Sequence, residues 1–263
     1  MVDGPSNDGT RELLSHLSDQ GQVRMVEQPR LEGISAARNL GLEAAKGKVV
    51  GFIDDDATAE PGWISALLSE FSDEDVAGVG GPVLSIEGRL VMGRNAVSKM
   101  GDWFDESRGE DVEGKFPVMV GCNMSFRTEV LRKAGGFDAK FRYHQDETDA
   151  CLRVLSAGYR IAYAEKAAVR HEWCEGSYRR DRLLWYFKLR YLWGRNDAYL
   201  VRKNFGKSVA FSRYVGHKLM RALDRRVSPK PTAVASKAGA VPRSISLLGA
   251  TFELSGSLFG WNI

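Results

Sequence analysis

KVVGFIDDDA, residues 48–57, is a short apolar run that ends in three consecutive aspartates, Asp54, Asp55 and Asp56. An apolar run of this length reads as a buried β-strand, because a helix needs a longer periodic segment. Carboxylates crowded at its carboxyl end cannot belong to the core, since each ionised group needs water, a cation or a hydrogen-bond donor. In open α/β sheets, ligands bind in the crevice at that end of the strands. Carboxylate oxygens suit Mg²⁺ or Mn²⁺, ions that bridge protein carboxylates to the phosphates of a substrate. The competing reading is a solvated acidic loop ahead of the helix that begins near Pro61.

Outward from this run the chain alternates strand and helix. Upstream, the turn-rich segment 2–10 feeds an amphipathic helix carrying Leu13, Leu14 and Leu17, then a short strand at Met25–Val26 and a helix over 35–46 closed by Gly47. Downstream, a helix presents Trp63, Ile64, Leu67, Leu68 and Phe71 on one face, and a strand follows at 76–83. This β-α-β-α-β rhythm predicts an α/β protein with a doubly wound, mostly parallel sheet. Val2 alone cannot supply the first strand of such a sheet, so a strand upstream of Met1 is expected. The segment 85–117 is polar and aperiodic and reads as a loop or mobile insertion. Order resumes at 118–126, followed by a short helix to Gly135, a helix from Asp146 to Gly158, and strands near 159–163 and 167–169.

The chain has 263 residues, 43% of them hydrophobic and 27% charged, an ordinary composition for a folded domain with an appendage. Three cysteines, Cys122, Cys151 and Cys174, without a CxxC pair argue against a disulfide framework or a zinc knuckle. No run of about 18 apolar residues appears, so the reading is a cytoplasmic protein without a membrane span. Net charge is only +3 but is segregated: residues 179–230 hold fifteen Lys and Arg against three Asp, leaving 22 basic and 31 acidic residues elsewhere. Such asymmetry calls for a partner.

Six motifs in order give the chain a family resemblance. They are VDGPSNDGT (2–10), ARNLGLEAAKG (37–47), VGFIDDDA (50–57), GCNMSFRTEVLRKAGGFD (121–138), DETDACLRVLSAGYRI (146–161) and AAVRHEW (167–173). Together they resemble the inverting family 2 glycosyltransferases with the nucleotide-diphospho-sugar transferase (GT-A) fold. The resemblance implies a metal-dependent transfer of a sugar from a nucleotide-diphosphate donor to a hydroxyl of a glycan or polyprenyl-linked acceptor. It places Asp3 at the nucleobase, although a turn-forming role suits that residue too. Arg38 would face the base or diphosphate, and Gly121 and Asn123 would line the donor sugar. The family's D-x-D maps to Asp54 and Asp56, with Asp55 between them on the donor side. Asp54 and Asp56 would hold Mn²⁺ or Mg²⁺, with His171 completing the shell. The family's Glu-Asp pair is inverted here to Asp146-Glu147. Glu147 takes the place of the general base, Asp149 is the second choice, and Asp146 reads as a helix N-cap.

Three segments follow from this reading: a catalytic domain over 1–173 lacking its first strand, basic amphipathic helices over 174–227, and a linker with a loosely ordered tail over 228–263. The basic helices interleave cations with Trp185, Tyr186, Phe187, Tyr191 and Trp193. They fit either packing on the catalytic domain or a peripheral position on the anionic inner face of the plasma membrane. No nucleic-acid motif accompanies them. A non-catalytic sugar-nucleotide-binding module is the alternative function, motivated by the absent first strand.

Overall fold

A computed structural model describes residues 1–110, 114–172, 182–223 and 243–261. Its central sheet has four strands in the order β12-β5-β11-β3, where β3 is Val49–Phe52, β5 is Val76–Gly80, β11 is Met124–Arg127 and β12 is Arg160–Tyr163. β12 runs parallel to β5, whereas β11 is antiparallel to both β5 and β3. A second sheet, β4-β13-β6-β7, joins Ala57–Ala59, Val169–His171, Val83–Leu84 and Leu90–Met92. At the amino end, β1 (Val2–Asp3) pairs in parallel with β2 (Val26–Glu27) as a separate two-stranded ladder. The ladders are therefore mixed, where the sequence rhythm suggested a mostly parallel sheet. The reversal comes from β11, which enters between β3 and β5 from a long excursion rather than through a helical crossover.

The helices α1 (Thr10–Asp19), α2 (Ile34–Ala44), α3 (Trp63–Glu70), α4 (Thr128–Lys133) and α5 (Asp146–Ser156) fall where the sequence pattern puts helices. Phe126, Phe137, Phe141, Met124, Leu131 and Val154 form the buried centre between the sheet and α4–α5. Burying side chains of this size stabilises by about 1.5–3 kcal/mol each. β5 is buried along its whole length. β3, at the edge of its sheet, is only half-buried, with Ile53 exposed, which departs from the buried strand expected of its apolar run.

Residues 85–117 are not a plain loop. They contain β7 and then a three-stranded antiparallel sheet, β10-β8-β9, of Phe116–Val118, Asn95–Val97 and Trp103–Asp105, with a short 3₁₀ turn at Glu106–Arg108. Residues 95–97 are buried. Three-residue strands are too short to show an alternating pattern, which is why the segment reads as aperiodic.

The basic segment supplies α6 (Arg182–Phe205) and α7 (Phe211–Leu223). The tail expected to be loosely ordered instead forms α8 (Arg243–Trp261), laid along α6. Glycines allow that approach: a side chain on Gly194 would meet the Glu253 backbone, and side chains on Gly256 and Gly260 would meet the carbonyls of Tyr191 and Arg195. The linker expected over 228–244 lies, up to residue 242, outside the described residues, as do Trp173, Cys174 and the side chains of Trp185 and Tyr186. Among the described residues no helix is long and apolar enough to cross a membrane.

Several cations of α6 and α7 find their counter-charges inside the chain. Lys203 Nζ lies 2.6 Å from Asp138 and 2.9 Å from Asp149, and Lys218 Nζ lies 3.1 Å from Asp197. Asp102 receives both His217 and Arg221. Lys203, His217 and Arg221 thus meet acids of the body, whereas Lys218 pairs with Asp197 of α6 itself.

Candidate active site

The site forms where β3, β13, the loop before β11 and the first turn of α5 converge. Arg38, on α2, is its centre. The guanidinium is buried and lies 2.7 Å from Asp146, 3.8 Å from Glu147 and 3.8 Å from Asp54. Gly121 makes this placement feasible, since a Cβ there would run into the guanidinium. Burial works against the cation, but Asp146, Glu147 and Asp54 outweigh it and raise its pKa. Arg38 therefore sits between two carboxylate walls.

One wall is the first turn of α5. Asp146 is not the helix N-cap; that position belongs to Gln145, and Asp146 instead binds Arg38. Glu147 is buried, and its pKa stands well above the ordinary glutamate range because of burial and then the charge of Asp146. Burial and the neighbouring charge of Asp146 thus both favour the protonated form of this carboxyl. Asp149, the second-choice base, is turned into the frame. It accepts from Arg153 at 2.8 Å, Lys203 at 2.9 Å and Asn204 at 3.1 Å, and so ties α5 to α6.

The other wall is the end of β3. Asp54 and Asp56 are about one-third exposed, and His171 Nε2 lies 3.8 Å from Asp54 and 3.2 Å from Asp56. The pairing of β13 with β4, which sets His171 opposite Ala57, brings the imidazole to the aspartates. Burial and then the neighbouring Asp54 charge raise the Asp56 pKa, with His171 opposing them. For His171, burial disfavours the cation, but the Asp54 hydrogen bond and the charges of Asp56, Asp54 and Asp55 prevail and raise its pKa. Two carboxylates repelling each other, whose charges also stabilise the neighbouring imidazolium, form a place that favours positive charge. The oxygen and nitrogen donors fit Mn²⁺ or Mg²⁺. Cys122 stands nearby, with donor atoms of Asp54, Cys122 and His171 all within 4.8 Å of one another. Burial, then the Asp54 charge, pushes its thiol up to about 12, so it is a neutral wall rather than a nucleophile.

The remaining expected residues divide. Asp55 is exposed between the two inward aspartates. Asp3 ends β1, is buried, and accepts from Ser6 and from Arg11 at 3.0 Å, which lowers its pKa. Asn123, expected to line the donor sugar, uses its side chain within the frame. It donates to Pro82 and Ala167 carbonyls at 3.1 and 2.8 Å and accepts from the Trp63 indole at 2.9 Å. Sequence reasoning missed Trp103, Gln145, Asn196 and Asp197, which surround the turn before α5. Only the adjacency of Gln145 to Asp146-Glu147 could have signalled any of them.

The sequence profile of "Glycosyl transferase family 2" matches residues 1–135, half of the chain. The chain belongs to glycosyl transferase family 2. It is 32% identical over 158 residues to the pre-mycofactocin glycosyltransferase of Mycobacterium tuberculosis, covering 57% of this chain and 32% of that protein. It is also 32% identical over 191 residues to the glucosyl-dolichyl phosphate glucuronosyltransferase of Haloferax volcanii, covering 65% of this chain and 58% of that one. The chain spans less than two thirds of the length of either relative. Among solved structures, GalNAc-T7 with UDP, GalNAc and Mn²⁺ superposes with a TM-score of 0.58 at 17% identity, over 76% of this chain and 40% of that one. The mannosyltransferase of Pyrobaculum calidifontis with GDP-Man and Mn²⁺ gives 0.55 at 16% identity, over 98% and 76%. The fold is GT-A.

Proposed function

We propose that this family 2 chain transfers a sugar, with inversion, from a nucleotide-diphosphate donor to an acceptor hydroxyl. The observation that carries the reading is Arg38 buried between Asp54 and the Asp146-Glu147 pair. One guanidinium holds a cation-seeking wall and a proton-accepting wall side by side, which is what in-line displacement at an anomeric carbon needs. Glu147 takes the proton of the attacking hydroxyl. A carboxylate base in a buried setting gains driving force from its raised pKa. Asp146 holds Arg38, and Arg38 keeps the two walls together without transferring a proton. Asp54, Asp56 and His171 would hold the divalent ion, which when bound offsets the charge that grows on the leaving diphosphate. Asp3 and Asp55 lie on the donor side in this reading.

The acceptor is a glycan or a lipid-linked hydroxyl compound; the Haloferax relative's dolichyl phosphate name supports the lipid-linked case. A lipid-linked acceptor would bring a membrane surface near the helical lobe, where Leu219, Met220 and Phe259 are exposed. Co-sedimentation with anionic vesicles tests that surface, and no binding at low salt removes it. The function itself is tested by assaying UDP- and GDP-sugar turnover with Mn²⁺ for the wild type, Asp56→Asn and Glu147→Gln. Turnover that survives Glu147→Gln removes Glu147 as the base.

A further inference from the structure

Two consecutive non-glycine residues, His144 and Gln145, hold positive φ angles of 68° and 75° immediately before Asp146 and Glu147. Such backbone persists only where its surroundings over-determine it, and the surroundings here come from the C-terminal helices. Asn196, on α6 and buried, donates to the Tyr143 carbonyl and, at 3.0 Å, to the His144 carbonyl. The next residue, Asp197, accepts from Gln145 Nε2 at 2.7 Å. On the other side, the Trp103 indole of β9 donates to Gln145 Oε1 at 3.3 Å.

Gln145 is fully buried, and its position is the N-cap of α5, yet its side chain makes no capping bond. The amide is diverted to Asp197 and Trp103 instead. Asp197 is in turn anchored by the buried Lys218 of α7, 3.1 Å away, and has His144 Nε2 4.0 Å off. The turn is thus gripped directly by α6 and β9, with α7 bracing Asp197 from behind.

We infer that Gln145, Asn196 and Asp197 are positioning residues for the base, locking the strained 144–145 turn so that Glu147 meets the acceptor. The inference rests on the glycosyltransferase reading for its activity readout and on backbone protection for an independent one. It also gives the basic segment a use: α6 and α7 complete the catalytic wall from outside the sheet.

The test exchanges the partners. Gln145→Glu sets a second carboxylate against Asp197, whereas Gln145→Glu with Asp197→Asn restores one donor and one acceptor at unchanged net charge. At about pH 8 the single variant is expected to lose on the order of 100-fold in kcat, with the donor KM nearly unchanged, since misplacement by about 1 Å costs that much. Amide exchange in residues 141–150 should accelerate at least about tenfold, the exchange expected of a turn whose bonds open locally. The double variant should recover most of both. Asn196→Asp, which removes the donor to the two carbonyls, should repeat the single-variant pattern without touching the Gln145–Asp197 bond.

A folded Gln145→Glu with unaltered kcat and unaltered exchange overturns the inference, and so does a double variant that melts like wild type yet recovers neither. If the double variant fails to fold, Asn196→Asp decides by the same two readouts. Wild-type protein without turnover on any donor would break the glycosyltransferase reading, while amide exchange would still decide the grip.

Discussion

Asp146 and Glu147 are buried in the first turn of α5, behind a turn gripped by α6 and β9 and with Arg38 against them; Asp54 and Asp56 stand at the open edge of a sheet, about one-third exposed, with a single imidazole between them. The first pair has its geometry fixed within the protein. The second has donors, like-charge repulsion and access to solvent, and in the proposed reading a cation completes it. The difference teaches that one guanidinium can touch both a wall whose charges are paired within the protein and a wall whose charges face solvent.

The sharpest way to break this contrast is Glu147→Gln, which keeps the shape of the fixed wall and removes its proton acceptor. Turnover should fall by about 10²–10⁴-fold, the usual contribution of a general base, while donor affinity stays within about twofold. Steady-state kinetics beside calorimetric donor titration checks this. A parallel loss of donor binding would mean that the wall is not catalytic but structural.

Next in size is Arg38→Ala, which strips the shared cation. Asp146 would be left buried and unpaired, so unfolding in urea should show a loss of about 3–5 kcal/mol. Gly121→Ala pushes on the same guanidinium and should cost less.

The pH dependence of stability separates the buried α5 wall from the paired charge of Asp102 beneath α7. Glu147 carries a folded-state pKa raised above its unfolded value. Between those two values the native chain binds more protons than the unfolded chain, so this group's contribution to stability falls as pH rises. Glu147→Gln should therefore raise the melting temperature, and the gain should grow from the ordinary glutamate range upward. Asp102 behaves oppositely. Burial opposes its charge, but His217, Lys218 and Arg221 outweigh burial and lower its pKa. Its contribution is full above the unfolded value and is lost as pH falls through the folded one. Thermal melts of Asp102→Asn against wild type across the acidic range should converge at low pH.

The smallest effect is expected outside both walls. Met220→Ser replaces an exposed side chain and should change stability by no more than about 0.5 kcal/mol. A larger loss would show that the helical lobe covers more than the structure displays.

Much of the fold was legible because α1 to α5 and the apolar run before Asp54 carried their own periods and stop signals. The site was legible where chemistry is concentrated in neighbours, as in Asp54 to Asp56 and Asp146-Glu147. Other features depend on residues far apart in sequence. Nothing local tells that Asn123 turns its amide to Pro82 and Ala167, or that Asp149 is claimed by Lys203 of α6. The sheet of β8–β10 escaped because its strands are three residues long. α8 escaped because its glycines, read as interruptions, are contact points for α6.

The central claim is a division of labour between the two walls, and Mn²⁺ titration followed by electron paramagnetic resonance tests it most directly. The account predicts that Asp56→Asn weakens Mn²⁺ binding by at least about tenfold, since even the loss of an outer-shell partner of a metal site costs that much. Glu147→Gln, correctly folded, should bind Mn²⁺ as the wild type does. Equal Mn²⁺ affinity for Asp56→Asn and wild type, or loss of the ion in Glu147→Gln, would contradict it.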